Sequence, residues 1–190
     1  MECNTFLMIG RPGSGKGTQA KLLAQKIGAN IFSSGEEFRA LAAGATYLGR
    51  RIKDAMEGGE LMPHGLASYI YEKEIFATEP GQKLVFEGAC RTEPEAVLFH
   101  EISLWLPRPY VAVYLNVPEE EVWQRLLKRA TLESRKDDTE EAIRKRFDEY
   151  TKKNEAVIGA FRERGTLVEV NGAQPIEAVH QDVLKALTLS

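Results

Sequence analysis

Cysteine is scarce: Cys3 and Cys90 are the only two in 190 residues. They form no C-x-x-C pair and have no histidine at ligand spacing. That excludes a zinc site and a disulfide framework and fits a reducing compartment. Long apolar runs are missing as well, and none nears the roughly 20 residues needed to span a bilayer. The first apolar stretch, Thr5 to Ile9, is too short for a signal h-region and runs straight into Gly10-Arg11-Pro12. The cytoplasm is therefore the expected location, and no membrane partner is expected. Nor does one charge dominate: 25 Lys and Arg face 28 Asp and Glu, a net charge of -3. A nucleic-acid binder with a global basic field is not expected, although a local basic cleft stays open. Repeats and low-complexity tracts are absent. A hydrophobic content of 43% with 28% charged residues excludes wholesale disorder, and the length suits one domain with a sizeable core.

What is present is alternation. Phe6 to Ile9, Ile31-Phe32, Leu84 to Phe86, Val111 to Leu115 and Leu167 to Val170 read as five strands. Helix-sized segments separate them. Gly17 to Ile27 carries Ala20, Leu23, Ala24 and Ile27 on one face, with Gly28 as its stop. Pro118 followed by three glutamates opens another helix, and Pro175 opens the last. Strands alternating with helices predict an α/β fold: a five-stranded parallel sheet covered on both faces, three layers in all. Such sheets bind ligands beyond the carboxyl ends of their strands. Residues 33 to about 76 hold helices but no convincing strand and read as a helical insertion. Residues 130–138 are polar and read as a short exposed loop between two helices.

The first strand runs into Gly10-Arg11-Pro12-Gly13-Ser14-Gly15-Lys16-Gly17-Thr18, a G-x-x-x-x-G-K loop between strand and helix. The glycines let backbone N–H groups turn inward around a polyphosphate, and the helix N-terminus adds unpaired donors. Lys16 reaches the transferable phosphates. The hydroxyl that usually follows the Lys arrives one place late, at Thr18, with Gly17 between.

The run from Gly10 to Ala20 resembles the adenylate kinase family of nucleoside monophosphate kinases, where a Gly after the Lys is usual. Ser34-Gly35-Glu36-Glu37-Phe38-Arg39 resembles the segment that opens that family's monophosphate-binding insertion, and Gly59-Glu60-Leu61-Met62-Pro63 the segment that closes it. Glu87-Gly88-Ala89-Cys90-Arg91-Thr92, the pair Arg125 and Arg129, Ser134-Arg135-Lys136-Asp137-Asp138 and Arg146 follow in the family's order. The resemblance implies a P-loop NTPase fold with a monophosphate-binding insertion at 33–62 and a short, zinc-free lid at 130–138. It implies transfer of the ATP γ-phosphoryl group to AMP, giving two ADP, by a monomer. Transfer to GMP or to several monophosphates is the alternative. A further alternative, of another class, is a nucleotide-binding protein with reduced transfer.

The resemblance also distributes roles. Gly13, Ser14, Gly15, Lys16, Gly17 and Thr18 would hold the donor phosphates, Arg125 would flank the donor base, and Arg129 would reach those phosphates. Ser34, Gly35, Arg39, Leu61, Met62, Gly88, Arg91 and Glu95 would hold the monophosphate, with Arg135 and Arg146 closing over both nucleotides. Lys16, Arg91, Arg129, Arg135 and Arg146 would be catalytic. Mg²⁺ would travel with ATP, and Glu36 and Glu87 would meet it through water. No general base is needed, because the acceptor is an ionised phosphate oxygen and the task is alignment and charge neutralisation. Arginine suits it through its planar fork.

Three departures bear on function. Ala89-Cys90 stands where the family has Phe-Pro, so the turn there must form differently. Glu95 stands where a Gln reads the monophosphate base. An ionised Glu only accepts hydrogen bonds, which suits guanine's N1–H and N2–H₂ better than adenine's edge. Yet Thr92-Glu93-Pro94-Glu95 also reads as a capping box. A Cys90 thiol beside Arg91 would be acidified, although drift is the simpler account. Trp105 and Trp123 read as packing residues.

Overall fold

The computed structural model describes residues 3–133 and 139–189. The elements in chain order are β1 (Thr5–Gly10), α1 (Lys16–Ile27), β2 (Asn30–Ser33), α2 (Ser34–Ala42), α3 (Tyr47–Glu57), α4 (His64–Ala77) and β3 (Leu84–Glu87). They continue with α5 (Glu93–Trp105), β4 (Tyr110–Asn116), α6 (Glu119–Glu133), α7 (Glu140–Glu163), β5 (Leu167–Asn171) and α8 (Ile176–Ala186). The strands form one sheet in the order β2-β3-β1-β4-β5, and every pairing is parallel. All five strands expected from the sequence are present, and the insertion between β2 and β3 holds helices only.

The inner strands β1, β3 and β4 are buried on both faces because they are apolar at both parities. On one face, Leu7, Ile9, Phe86, Ala112 and Tyr114 join Phe99 of α5 and Phe161 of α7. On the other, Phe6, Met8, Val85, Val113 and Leu115 pack on Leu23 of α1 and Val183 of α8. A third cluster (Val117, Val122, Leu126, Ile143 and Phe147) ties α6 to α7. Parallel strands place all their carboxyl ends along one edge. The loop after Gly10, the Ser33-to-Ser34 junction, Glu87-Gly88 and the chain after Asn171 therefore stand side by side, with Met8 opposite Glu87 and Ser33 opposite Glu87 in register.

Two expectations change. Helix α6 continues to Glu133, so the first four residues of the expected 130–138 loop are helical in backbone. Nothing in Ala130-Thr131-Leu132-Glu133 breaks a helix, since Gly and Pro are absent. The rest of that loop, with Arg135, lies outside the described residues. Trp105 is not a packing residue: it ends α5 and is 77% exposed. Trp123 does pack, edge-on to Phe147, with the Arg144 guanidinium over its ring.

Candidate active site

The chain leaves β1 through a loop that only glycine can follow at Gly13. Its φ is +83°, and a Cβ there would lie 2.7 Å from Leu126 Cγ. That close approach seats the loop on α6 and points the start of α1 at the sheet edge. Lys16 is the first residue of α1. Its Nζ donates to the Arg11 carbonyl at 3.4 Å and faces Glu87 Oε1 at 3.6 Å. Burial drives the Lys16 ammonium down from 10.5 to about 8, helped by the charges of Arg91 and Arg129 and opposed by Glu87.

Glu87 ends β3 beside the loop, where the sequence placed it. Its second oxygen accepts the Ser33 hydroxyl at 2.8 Å. Burial alone would raise its carboxyl, but Lys16, Arg91 and the Ser33 hydroxyl outweigh burial and hold it below the usual range. Beyond it Gly88 adopts φ +80°, and a Cβ there would collide with Ser34 Oγ and lie 2.8 Å from Arg91 Nη2. The Ser34 hydroxyl donates to the Gly88 carbonyl at 2.9 Å, and Arg91 Nε donates to the same carbonyl at 3.0 Å. Arg91 Nη2 also reaches Ser34 Oγ at 3.4 Å. The chain thus folds tightly around the base of the Arg91 side chain and leaves the far end of its fork facing the cavity.

One cavity gathers most of the expected acceptor-side residues. Lys16, Gly35, Arg39, Leu61, Met62, Glu87, Gly88, Arg91, Glu95, Arg129 and Arg146 all line it. Ser34 stands behind the lining, held on Gly88. Helix α7 supplies Tyr150, Asn154 and Val157, which the sequence reading did not include, and α2 and α3 supply Phe38 and Met56. A Lys145–Glu60 ion pair of 3.0 Å joins α7 to the end of the insertion and closes that side.

A second cleft opens on the other side of the loop. Gly13, Ser14, Gly15, Thr18 and Arg125 line it, with Gly172, Gln174 and Ile176 between β5 and α8. Arg125 spans its mouth: one Nη donates to the Gly172 carbonyl at 3.0 Å, and the same nitrogen pairs with Glu121. Gly17 lines neither cleft. No motif marked Gly172 to Ile176. Only the strand order, which lays β5 beside β4, brings them to the loop.

One expectation needs correction, and two alternative readings fall. Glu36 does not join Glu87: its carboxylate is 60% exposed and pairs with Lys21 at 3.4 Å. The phase of α2 explains this. Ser34 and Phe38, four residues apart, are buried, and Glu36 sits about 200° round from Ser34. Glu95 does not form the expected capping box. Its Oε1 accepts the Thr92 hydroxyl at 2.9 Å, and its Oε2 accepts the N–H of Arg91, one residue before the cap, at 3.0 Å. Cys90 is not an acidified thiol. It is 2% exposed, and burial, with the Glu95 charge behind it, pushes the thiol well above its ordinary range. The turn without proline is made by Cys90 itself at φ +55°, a left-handed conformation that costs a non-glycine residue about 1–2 kcal/mol.

Among the described residues no group of three or more His, Cys, Asp or Glu side chains could hold a metal by itself. The ionised Glu87 carboxylate, at the end of β3 beside the loop, is an oxygen donor of the kind that Mg²⁺ takes. No described helix is long and apolar enough to cross a membrane.

Comparison with known proteins decides the family. The adenylate kinase family model matches residues 8–166. An adenylate kinase of Thermus thermophilus is 37% identical over 182 residues, covering 95% of each chain. That of Pseudarthrobacter chlorophenolicus is 35% identical over 96% of this chain and 95% of its own. The chain belongs to the adenylate kinase family. A Bacteroides fragilis adenylate kinase, 32% identical over 96% of this chain, extends the match to a more distant relative. The five-stranded parallel sheet with its phosphate loop is the P-loop fold of adenylate kinases, and the lining of both clefts falls within or just beyond the matched span.

Proposed function

We propose that the two clefts hold the two nucleotides of one reaction: transfer of the ATP γ-phosphoryl group to AMP, giving two ADP. The observation that carries this is the convergence of Lys16, Arg39, Arg91, Arg129 and Arg146 on one cavity, with the ionised Glu87 as counter-charge. Such a field suits several phosphates and exceeds what one nucleotide needs.

ATP lies with its base in the cleft beside Arg125 and Gly172 and its phosphates along Gly13 to Thr18, reaching Lys16. AMP lies in the cavity on the Arg91 side of the loop, its phosphate on Arg39 and Arg91 and its base toward Phe38, Leu61 and Met62. An oxygen of the AMP phosphate attacks the γ-phosphorus, and the bond to the β–γ bridging oxygen breaks. The electron pair leaves on ADP, and no proton has to move in the transfer. Lys16, Arg129 and Arg146 neutralise charge on the moving group, with Arg135 of the lid as a further cation. Mg²⁺ would supply charge neutralisation on the donor phosphates, and Glu87 would hold it through water. Residues 33–62 act as the acceptor-binding insertion and 130–138 as the short lid, which together exclude water. A monomer in the cytoplasm completes the reading on family grounds.

The depressed Lys16 gives a pH test. Near pH 9 the free protein carries a mostly neutral Lys16. Phosphate stabilises the ammonium, so its titration moves upward on binding. ATP binding at pH 9 is therefore expected to take up a proton, and at pH 6.5 to take up none through this group. Calorimetry in buffers of different ionisation enthalpy reads the difference. Equal uptake at both values removes the assignment of Lys16 to the phosphates. The function itself is tested by following ADP formation from ATP and AMP.

A further inference from the structure

We propose that Glu95 is a positioning residue: it holds the turn that carries Arg91 and so sets the affinity for the acceptor's phosphate, whichever base the acceptor bears. The inference rests on the reading of Arg91 as the acceptor-phosphate residue.

The turn from β3 into α5 is strained, because Cys90 keeps φ +55° without being glycine. Something must hold it, and the hydrogen bonds identify Glu95. Glu95 is 2% exposed, so its carboxylate needs partners within the protein. Both partners lie in the turn itself: the N–H of Arg91 at 3.0 Å and the hydroxyl of Thr92 at 2.9 Å. The carboxylate also sits in the first turn of α5, where the helix dipole favours a negative charge. The Glu95 backbone is fixed in turn. The Tyr71 hydroxyl donates to its carbonyl at 3.1 Å, and Cys90 Sγ approaches the same oxygen at 3.8 Å. Tyr71 is locked against Phe86 and Phe99. A continuous path therefore runs from α4 through Tyr71 and Glu95 to the Arg91 backbone, then through the Arg91 side chain to Gly88 and Ser34. Breaking it at the carboxylate frees Cys90 to leave its strained conformation and displaces the Arg91 fork.

The test uses the full chain as Glu95→Gln, Glu95→Gln with Cys90→Gly, and Arg91→Ala, with kcat and KM measured for AMP and GMP at saturating ATP. Glutamine keeps one acceptor and loses the other, so KM for AMP is expected to rise about tenfold, with kcat and KM for ATP within about twofold. KM for GMP is expected to rise by the same factor. Glycine at position 90 tolerates positive φ and is expected to recover most of the lost affinity. The unchanged KM for ATP serves as the control for folding. An unchanged KM for AMP in Glu95→Gln overturns the proposal. So does a change of tenfold or more in the AMP-to-GMP preference, which marks Glu95 as a reader of the base. Failure of Cys90→Gly to restore affinity removes the strained turn from the account. If Arg91→Ala itself leaves KM for AMP unchanged, the assignment of Arg91 falls first and this inference falls with it. A large effect of Arg91→Ala beside a silent Glu95→Gln overturns the inference alone.

Discussion

Methionine in place of Lys16 is expected to lower kcat for ADP formation by about 10³-fold, roughly 4 kcal/mol of transition-state stabilisation. Lys16 opens α1 at the end of the phosphate loop, and its ammonium is already desolvated by burial. A cation held there requires no reorganisation when charge develops on the moving phosphoryl group, and this is why it outweighs any single exposed arginine. The fold should survive the change. Glu87 loses its nearest cation but keeps the Ser33 hydroxyl and the field of Arg91. Thermal unfolding followed alongside turnover separates the two effects: a kcat within tenfold of the unmodified protein removes Lys16 from the mechanism.

Alanine in place of Arg91 is expected to cost about 10³-fold in kcat/KM for AMP while leaving KM for ATP within about threefold. The asymmetry follows from position. Arg91 is anchored to Gly88 and Ser34 and lines the acceptor cavity but not the Arg125 cleft. Lysine at this position should recover little of the loss. A point charge cannot keep the Nε bond to the Gly88 carbonyl and still present a planar fork to phosphate oxygens. Steady-state kinetics with each substrate varied in turn provide the check, and equal damage to both substrates contradicts the division into donor and acceptor sides.

The five strands and the phosphate loop were legible in the sequence for a physical reason. Central parallel strands, buried on both faces, are apolar at successive positions, as Phe6 to Ile9 and Val111 to Leu115 are, whereas edge strands β2 and β5 carry only shorter apolar runs. The cationic cavity was legible from motifs whose glycines fix the backbone near an arginine, as Gly88 does for Arg91. Other features depend on tertiary geometry. Gly172 and Ile176 carry no motif and reach the second cleft only because β5 lies beside β4. Tyr150 and Asn154 line the acceptor cavity because α7 crosses above it. Glu36 carries the right charge at the right distance along the chain, yet the phase of α2 turns it outward to Lys21. Glu95 lies in the first turn of α5, as its spacing from Thr92 predicts, but its backbone partner is the N–H of Arg91 and not that of Thr92. The positive φ of Cys90 rotates the chain there, and no residue type in Ala89-Cys90 announces it. The polar run at 130–138 suggested a loop from its start, although helix α6 runs on to Glu133 because no residue stops it.

All the roles assigned above depend on one phosphoryl group passing directly between two bound nucleotides. Phosphorus NMR of the protein with ATP, AMP and Mg²⁺ tests it directly. The account predicts that the γ-phosphate signal of ATP is lost as the signals of two ADP grow, that inorganic phosphate does not accumulate, and that the reaction stops without AMP. Release of inorganic phosphate in place of the second ADP, or ATP persisting unchanged beside AMP, would contradict it.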